Sequence, residues 1–284
     1  MKVALKLLFS TALLYFIIQQ IDIKRVIDAL SSVNIFYFFL AFLLYNLSKI
    51  ISAIRLNYYF KEIAINLPLW QNLRLYYLGM FYNLFLPGGI GGDGYKAYIL
   101  KRHFGCKLAL ILKALLFDRI SGLIALLFLA ALLFLFSRYA ISPLNYLALL
   151  TAVAIYPLFY FISYKKQLFM RYFQVTNTLG FLVQFVQLLS ALALLFALDS
   201  SLHVIEYLVL FLISSVVSVL PITIGGVGVR ELTFLYGLQF IGLAPDSGIA
   251  FSFLFFALNL FASALGVLFI TSAKNLPKVQ NHVE

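Results

Sequence analysis

Six charged residues stand where charge is costly. Asp93 and Lys96 lie in "LPGGIGGDGYK", residues 86–96; Asp118 and Arg119 lie in "KALLFDRISG", residues 113–122; Arg230 ends "LPITIGGVGVR", residues 220–230, and Glu231 follows it. All six are embedded in apolar sequence. Ionisable groups in such surroundings carry function by default, by pairing or by meeting a charged ligand. Three cations and three acids could hold a phosphate, balance its charge or contact a cationic headgroup. They do not form a nucleophile with its base, and the chain has no Ser-His-Asp order, HExxH or CxxC. The single cysteine, Cys106, allows neither an intrachain disulfide nor a cysteine-rich metal cage, and His103, His203 and His282 are scattered. No metal or cofactor is expected.

Two readings of the cations compete. A helix start carries partial positive charge and unpaired N–H groups, which suit Asp93 and Glu231 and oppose Lys96 and Arg230. In the bland reading Asp93 caps its helix, and the cations pair with acids or snorkel. In the functional reading the N–H groups and a cation together form an anion site. Asp118 and Arg119 are consecutive, so on a helix they point about 100° apart and are not a natural mutual pair. They sit either at an interfacial helix end or facing a polar cavity.

The glycines present a formal G-x-G-x-x-G at Gly89, Gly91 and Gly94. A dinucleotide loop needs a preceding strand and a βαβ unit, whereas an apolar helix precedes this one. The second stretch does not keep the spacing. What the two stretches share is L-P-x-x-I-G-G-x-G-x-[K/R]: Leu86/Leu220, Pro87/Pro221, Ile90/Ile224, Gly91/Gly225, Gly92/Gly226 and Gly94/Gly228 are identical, and Lys96/Arg230 keeps a cation. This is an internal repeat. Proline and clustered glycine break a helix, and broken backbone must be buried in protein or line a wet cavity. Each copy is therefore expected to form a helical hairpin with breaks at Asn83, Pro87, Gly91, Gly92 and Gly94, and at Pro221, Gly225, Gly226 and Gly228. Asn83 is placed to bond the first broken backbone.

The elements that hold these motifs follow from composition. Of 284 residues, 64% are hydrophobic and 11% charged; soluble domains sit near 45–50% and about 25%. The bilayer is the natural solvent. Continuous rather than alternating apolar runs exclude a β-barrel. The expected fold is an all-α polytopic membrane protein, a single transmembrane domain over residues 1–284 with no soluble domain. About six full spans are expected: Val3–Ile18, Ile35–Ile54 closing on Arg55, Leu108–Phe136, Leu144–Ile162, Thr178–Leu198 and Ile249–Thr271. Two broken hairpins join them, Leu69–Arg102 and Val204–Leu243. Lys2 and Lys6 before the first run resemble a signal peptide, but no small-x-small cleavage site follows, so this run reads as an uncleaved span. Arg74 is expected to snorkel.

Net charge is +11, from 21 Lys and Arg against 10 acids. In a membrane protein this points to cytoplasmic loops and anionic headgroups, not nucleic acid. With both termini in the cytoplasm, Arg55 and Lys61, then Lys101, Arg102 and Lys107, then Lys165, Lys166 and Arg171, and finally Lys274 and Lys278 fall inside. The Asp199–Glu206 loop, without Lys or Arg, falls outside. Three spans then separate the hairpins, so they enter from opposite faces as an inverted repeat, a transporter layout.

At Asn83 with "LPGGIGGDGYKA", at "FDRISG" and at "LPITIGGVGVREL" the chain resembles the transmembrane region of the lysylphosphatidylglycerol synthetases. The resemblance covers essentially the whole chain. It implies a flippase-like role in moving an aminoacylated lipid between leaflets of the cell membrane. Synthase activity belongs to a separate soluble domain and is not implied. Lys96 stands where the family often has arginine, and Asp118 where glutamate is common. The expected function is transport or binding of a phospholipid with an anionic or modified headgroup, with phospholipids and a lipid-modifying synthase or glycosyltransferase as partners. Two other classes fit the same residues: a membrane-embedded lipid or polyprenyl-phosphate transferase, and a non-catalytic membrane partner of a glycosyltransferase or synthase.

Overall fold

Helices start where a polar side chain can satisfy the first free N–H groups, and two of those starts are visible near the N-terminus. Asp22 accepts from the N–H of Lys24 at 3.0 Å and opens α1, Ile23–Ser31. Asn34 accepts from Phe36 N–H at 3.0 Å and opens α2, Ile35–Glu62. The computed structural model describes residues 11, 13–85, 91–200, 202–219, 223 and 226–270. The remaining elements are α3 (Leu69–Phe85), α4 (Gly91–Phe104), α5 (Leu108–Phe134), α6 (Leu144–Lys165), α7 (Phe173–Ala197), α8 (Val204–Ser218), α9 (Val229–Phe240) and α10 (Asp246–Ala264), which continues as a 3₁₀ turn, Leu265–Phe269. Among the described residues every element is helical, and the chain is an all-α polytopic membrane protein.

Among the described residues, five helices are long and apolar enough to cross a bilayer: α2, α5, α6, α7, and α10 with its 3₁₀ extension. The expected first span, Val3–Ile18, lies mostly outside the described residues. The helices that flank the two glycine motifs are shorter. At 1.5 Å per residue, α3, α4, α8 and α9 measure about 18–26 Å, against a hydrocarbon core of about 30 Å. They pack in pairs, α3 on α4 and α8 on α9. Of the expected break residues, Pro87, Pro221 and Gly225 lie outside the described residues.

Burial sorts the spans. In α7, 56% of the most apolar window is buried inside the protein, so it is the central helix; in α6 the figure is 17%, so α6 faces lipid. The most extensive helix pair is α2 with α7. Small residues let these backbones approach, and hydroxyls join them: Ser190 Oγ donates to the Ala41 carbonyl at 2.8 Å, and Gln187 Nε2 to Ser48 Oγ at 3.4 Å. Apolar packing then gathers in two main cores. One surrounds the second broken pair, with Phe211, Phe234, Phe251 and Phe255 against Tyr45 and Leu194. The other surrounds the first, with Leu75 and Leu100 against Leu56, Phe60 and Ile111. The polar residues discussed below lie on α2–α5 and α7–α10, which these cores lock in place.

One boundary differs from the sequence reading. The helix does not end at Arg55; α2 continues to Glu62, and Arg55 is buried within the bundle. Asp118 on α5 accepts its Nε, so its charge does not end the helix. Arg74 also keeps protein contact: its guanidinium lies 5.0 Å from the Trp70 ring, one turn earlier on α3.

Candidate functional site

The first break is held by side chains from both of its arms. Asn83, near the end of α3, accepts from the Gly92 N–H at 2.8 Å and so satisfies a donor at the start of α4. The arms cross closely. A Cβ on Gly92 would collide with the Gly79 carbonyl, and one on Gly79 would collide with the Lys96 side chain. Gly92 and Gly79 are therefore glycine for space. Gly94 has open room beside it.

Charge is paired across three helices here. Asp93 receives Arg119 Nε from α5 at 2.6 Å on Oδ2, and Lys96 Nζ at 3.4 Å on Oδ1. The Lys96 ammonium also lies 4.6 Å from the centre of the Tyr76 ring. One residue before Arg119, Asp118 turns away and accepts Arg55 Nε from α2 at 2.8 Å. The two neighbours thus serve different partners, as their helical angle requires. Both members of the Arg55–Asp118 pair are buried. The guanidinium fits because Gly122 and Gly180 leave it room: a Cβ at either would lie within 3.3 Å of Arg55 Nη1. That Nη1 has no hydrogen-bond partner among the described residues.

The second break repeats the residue types but not the contacts. Gly226 and Gly228 have φ of 84° and 89°, a left-handed backbone that favours glycine. Glu231 is 1% exposed and fully used: its Oε2 accepts the Gly228 N–H at 2.6 Å, and its Oε1 accepts Ser252 Oγ at 2.9 Å. Arg230 is buried without an ion pair among the described residues. Its Nη1 donates to Ser214 Oγ at 3.1 Å and Ser215 Oγ at 3.3 Å, and its guanidinium lies 4.6 Å from the centre of the Phe255 ring. Lys96 meets a carboxylate; its repeat counterpart meets hydroxyls and an aromatic face.

Between the two breaks lies a cavity of about 450 Å³. That is within the usual size of small-molecule sites, roughly 300–1,000 Å³. Asn83 and Met80 wall it on the side of the first break, Ser218, Thr223 and Gly226 on the side of the second. Arg119 and Gly122 enter from α5, Gln184 from α7, Tyr45 and Lys49 from α2, and Asn259 and Ser263 from α10. Of the six charged residues singled out in the sequence, Arg119 lines this space. Asp93, Lys96, Asp118, Arg230 and Glu231 stand behind its wall, committed to the partners just described.

Lys49 is the residue that sequence reasoning missed. It sits in the middle of α2, its ammonium 4.2 Å from the centre of the Tyr45 ring. The available signal was its position, a cation about 20 Å from either end of a 28-residue apolar helix. Tyr45 is itself fixed, its hydroxyl donating to Asn259 Oδ1 at 2.9 Å. Among the described residues no group of three or more His, Cys, Asp or Glu could hold a metal ion.

Comparison with curated proteins finds no match to this chain. Comparison with family descriptions matches residues 3–266, a stretch that includes both broken pairs, the Asp118–Arg119 helix and every lining residue of the cavity. On that match the chain belongs to the lysylphosphatidylglycerol synthase transmembrane-region family.

Proposed function

We propose that this protein moves a phospholipid between leaflets, passing an anionic or modified headgroup through the interior cavity while the acyl chains stay in the bilayer. The cavity itself carries this reading: a space inside an apolar bundle, lined by polar as well as apolar side chains from both repeats. A headgroup that enters hydrocarbon loses its hydration at high cost. Hydroxyls, amides and Arg119 along the wall replace that water. Asp93 holds Arg119 in place, while Lys96, Asp118, Arg230 and Glu231 set the charge and shape of the wall behind it.

The two broken pairs act as re-entrant hairpins that approach from opposite faces. Their short arms support this, as does the odd number of spans between them, α5, α6 and α7. The protein works in the cytoplasmic membrane with both termini inside, the orientation favoured by the basic loops. A synthase or glycosyltransferase that modifies the headgroup on one side is the natural partner.

The test is a dithionite-quench assay with fluorescent phospholipids in proteoliposomes. Wild type should expose inner-leaflet label to quenching, and Arg119→Ala should slow it. Equal quenching by wild type, Arg119→Ala and protein-free vesicles would sink the proposal.

A further inference from the structure

The charges that face the cavity differ from those that surround it. Among the described lining residues the charged ones are Lys49 and Arg119, and no Asp or Glu is present. The nearby carboxylates are already used. Asp93 accepts Arg119 and Lys96, Asp118 accepts Arg55, and Glu231 accepts a backbone N–H and a serine. Arg119 brings its own counter-charge in Asp93. Lys49 brings none, since no carboxylate lies within ion-pair distance of it among the described residues.

Lys49 sits midway along α2, half-buried, on the wall of the cavity. A cation on a cavity wall that holds no carboxylate favours an anionic ligand over a cationic one. The surroundings suit an anion. Tyr45 stacks under the ammonium and fixes its position. Asn259 accepts from Tyr45 and Ser263 through the same Oδ1, which leaves its Nδ2 group as a donor.

Resting on the translocation reading above, we infer that Lys49 is the phosphate-binding residue of the cavity, and that the cavity selects a headgroup with net negative charge. A phosphate monoanion completes the missing ion pair. A cationic, aminoacylated headgroup would set its ammonium beside Lys49 with no carboxylate on the cavity wall to receive it.

The test is binding to the purified full-length protein in a neutral detergent, read from melting temperature against concentration. The probes are dihexanoyl phosphatidylglycerol, dihexanoyl phosphatidylcholine and inorganic phosphate. Phosphatidylglycerol should half-saturate at a concentration well below phosphatidylcholine. Lys49→Met should weaken phosphatidylglycerol by about tenfold or more, the worth of one charged hydrogen bond, while Lys49→Arg should keep most of the affinity. If inorganic phosphate saturates at the same concentration as the lipid and with the same dependence on Lys49, the anion site stands and its ligand is free phosphate. Equal affinity for the two lipids, or unchanged binding by Lys49→Met, overturns the inference. Should Lys49→Met not fold, the comparison of the two lipids on wild type decides alone. Anion-selective binding without lipid movement in proteoliposomes would overturn translocation only; lipid movement without anion preference would overturn the anion site only.

Discussion

Arg119 donates its Nε to Asp93 Oδ2 at 2.6 Å, and this bond ties α5 to the first broken pair. The adjacent Asp118 ties the same helix to α2 through Arg55. The two bonds should fail differently. Asp118→Leu strands a buried guanidinium that already has one unsatisfied nitrogen, and breaking such a pair costs about 3–5 kcal/mol. A clear drop in melting temperature in detergent is expected. Arg55→Met combined with Asp118→Leu should recover most of it, because the stranded charge goes too. Arg119 is 41% exposed toward the cavity, and Asp93 keeps Lys96 when it is removed. Arg119→Ala should therefore melt near wild type yet move lipid slowly. A melting curve for Asp118→Leu that overlays wild type would show that the Arg55 pair does not hold the bundle.

The glycines of the first repeat are not equivalent. Gly92→Ala drives a methyl into the Gly79 carbonyl, which is backbone and cannot turn aside. Forced separation of α3 and α4 should cost about 1–3 kcal/mol. Gly94→Ala meets nothing and sits in a helix, where alanine is favoured over glycine by up to about 1 kcal/mol. Melting temperature should fall for the first and hold or rise for the second. If both fall alike, the close crossing at Gly79 is not what fixes this break.

What could be read in advance was local. Apolar runs gave the helices, glycine clusters marked the starts of α4 and α9, and 100° per residue separated Asp118 from Arg119. What could not be read depends on partners far along the chain. Arg55 looked like the end of a span because hydropathy scores a cation as polar, whatever neutralises it. Its acid lies 63 residues away on another helix. Lys49 passed as part of a plain span for the same reason, since the cavity it faces is assembled from six other segments. The repeat also misled in one respect. It equated Lys96 with Arg230, but a repeat preserves residue types and backbone path, not the side chains that neighbouring helices supply.

That difference predicts a difference in tolerance. Arg230 reaches two hydroxyls with one nitrogen while its guanidinium carbon lies 4.6 Å from the centre of the Phe255 ring, and the point charge of a lysine ammonium does not reproduce both contacts at once. Arg230→Lys should lose about 1–3 kcal/mol, the worth of the hydrogen bonds it gives up. Ser214→Ala with Ser215→Ala should reproduce most of that loss. Thermal melting of the three proteins checks it. If Arg230→Lys is as stable as wild type while the serine double variant is not, the serines act by packing and not as acceptors for Arg230.

The orientation can be tested with the chain's single cysteine. Cys106 lies between α4 and α5, and its Sγ is 3.9 Å from the Ile63 carbonyl, at the end where Lys61, Lys101 and Lys107 gather. Asp199 is exposed after α7, three candidate spans further on. Three crossings must place these two positions on opposite sides of the membrane. A membrane-impermeant maleimide applied to intact cells should spare native Cys106 and should label Asp199→Cys in a Cys106→Ser background. In inverted membrane vesicles the pattern should reverse. The opposite result in both preparations would turn the protein over and overturn the cytoplasmic termini. Labelling of both positions from the same side would break the odd number of crossings, and with it the approach of the two broken pairs from opposite faces.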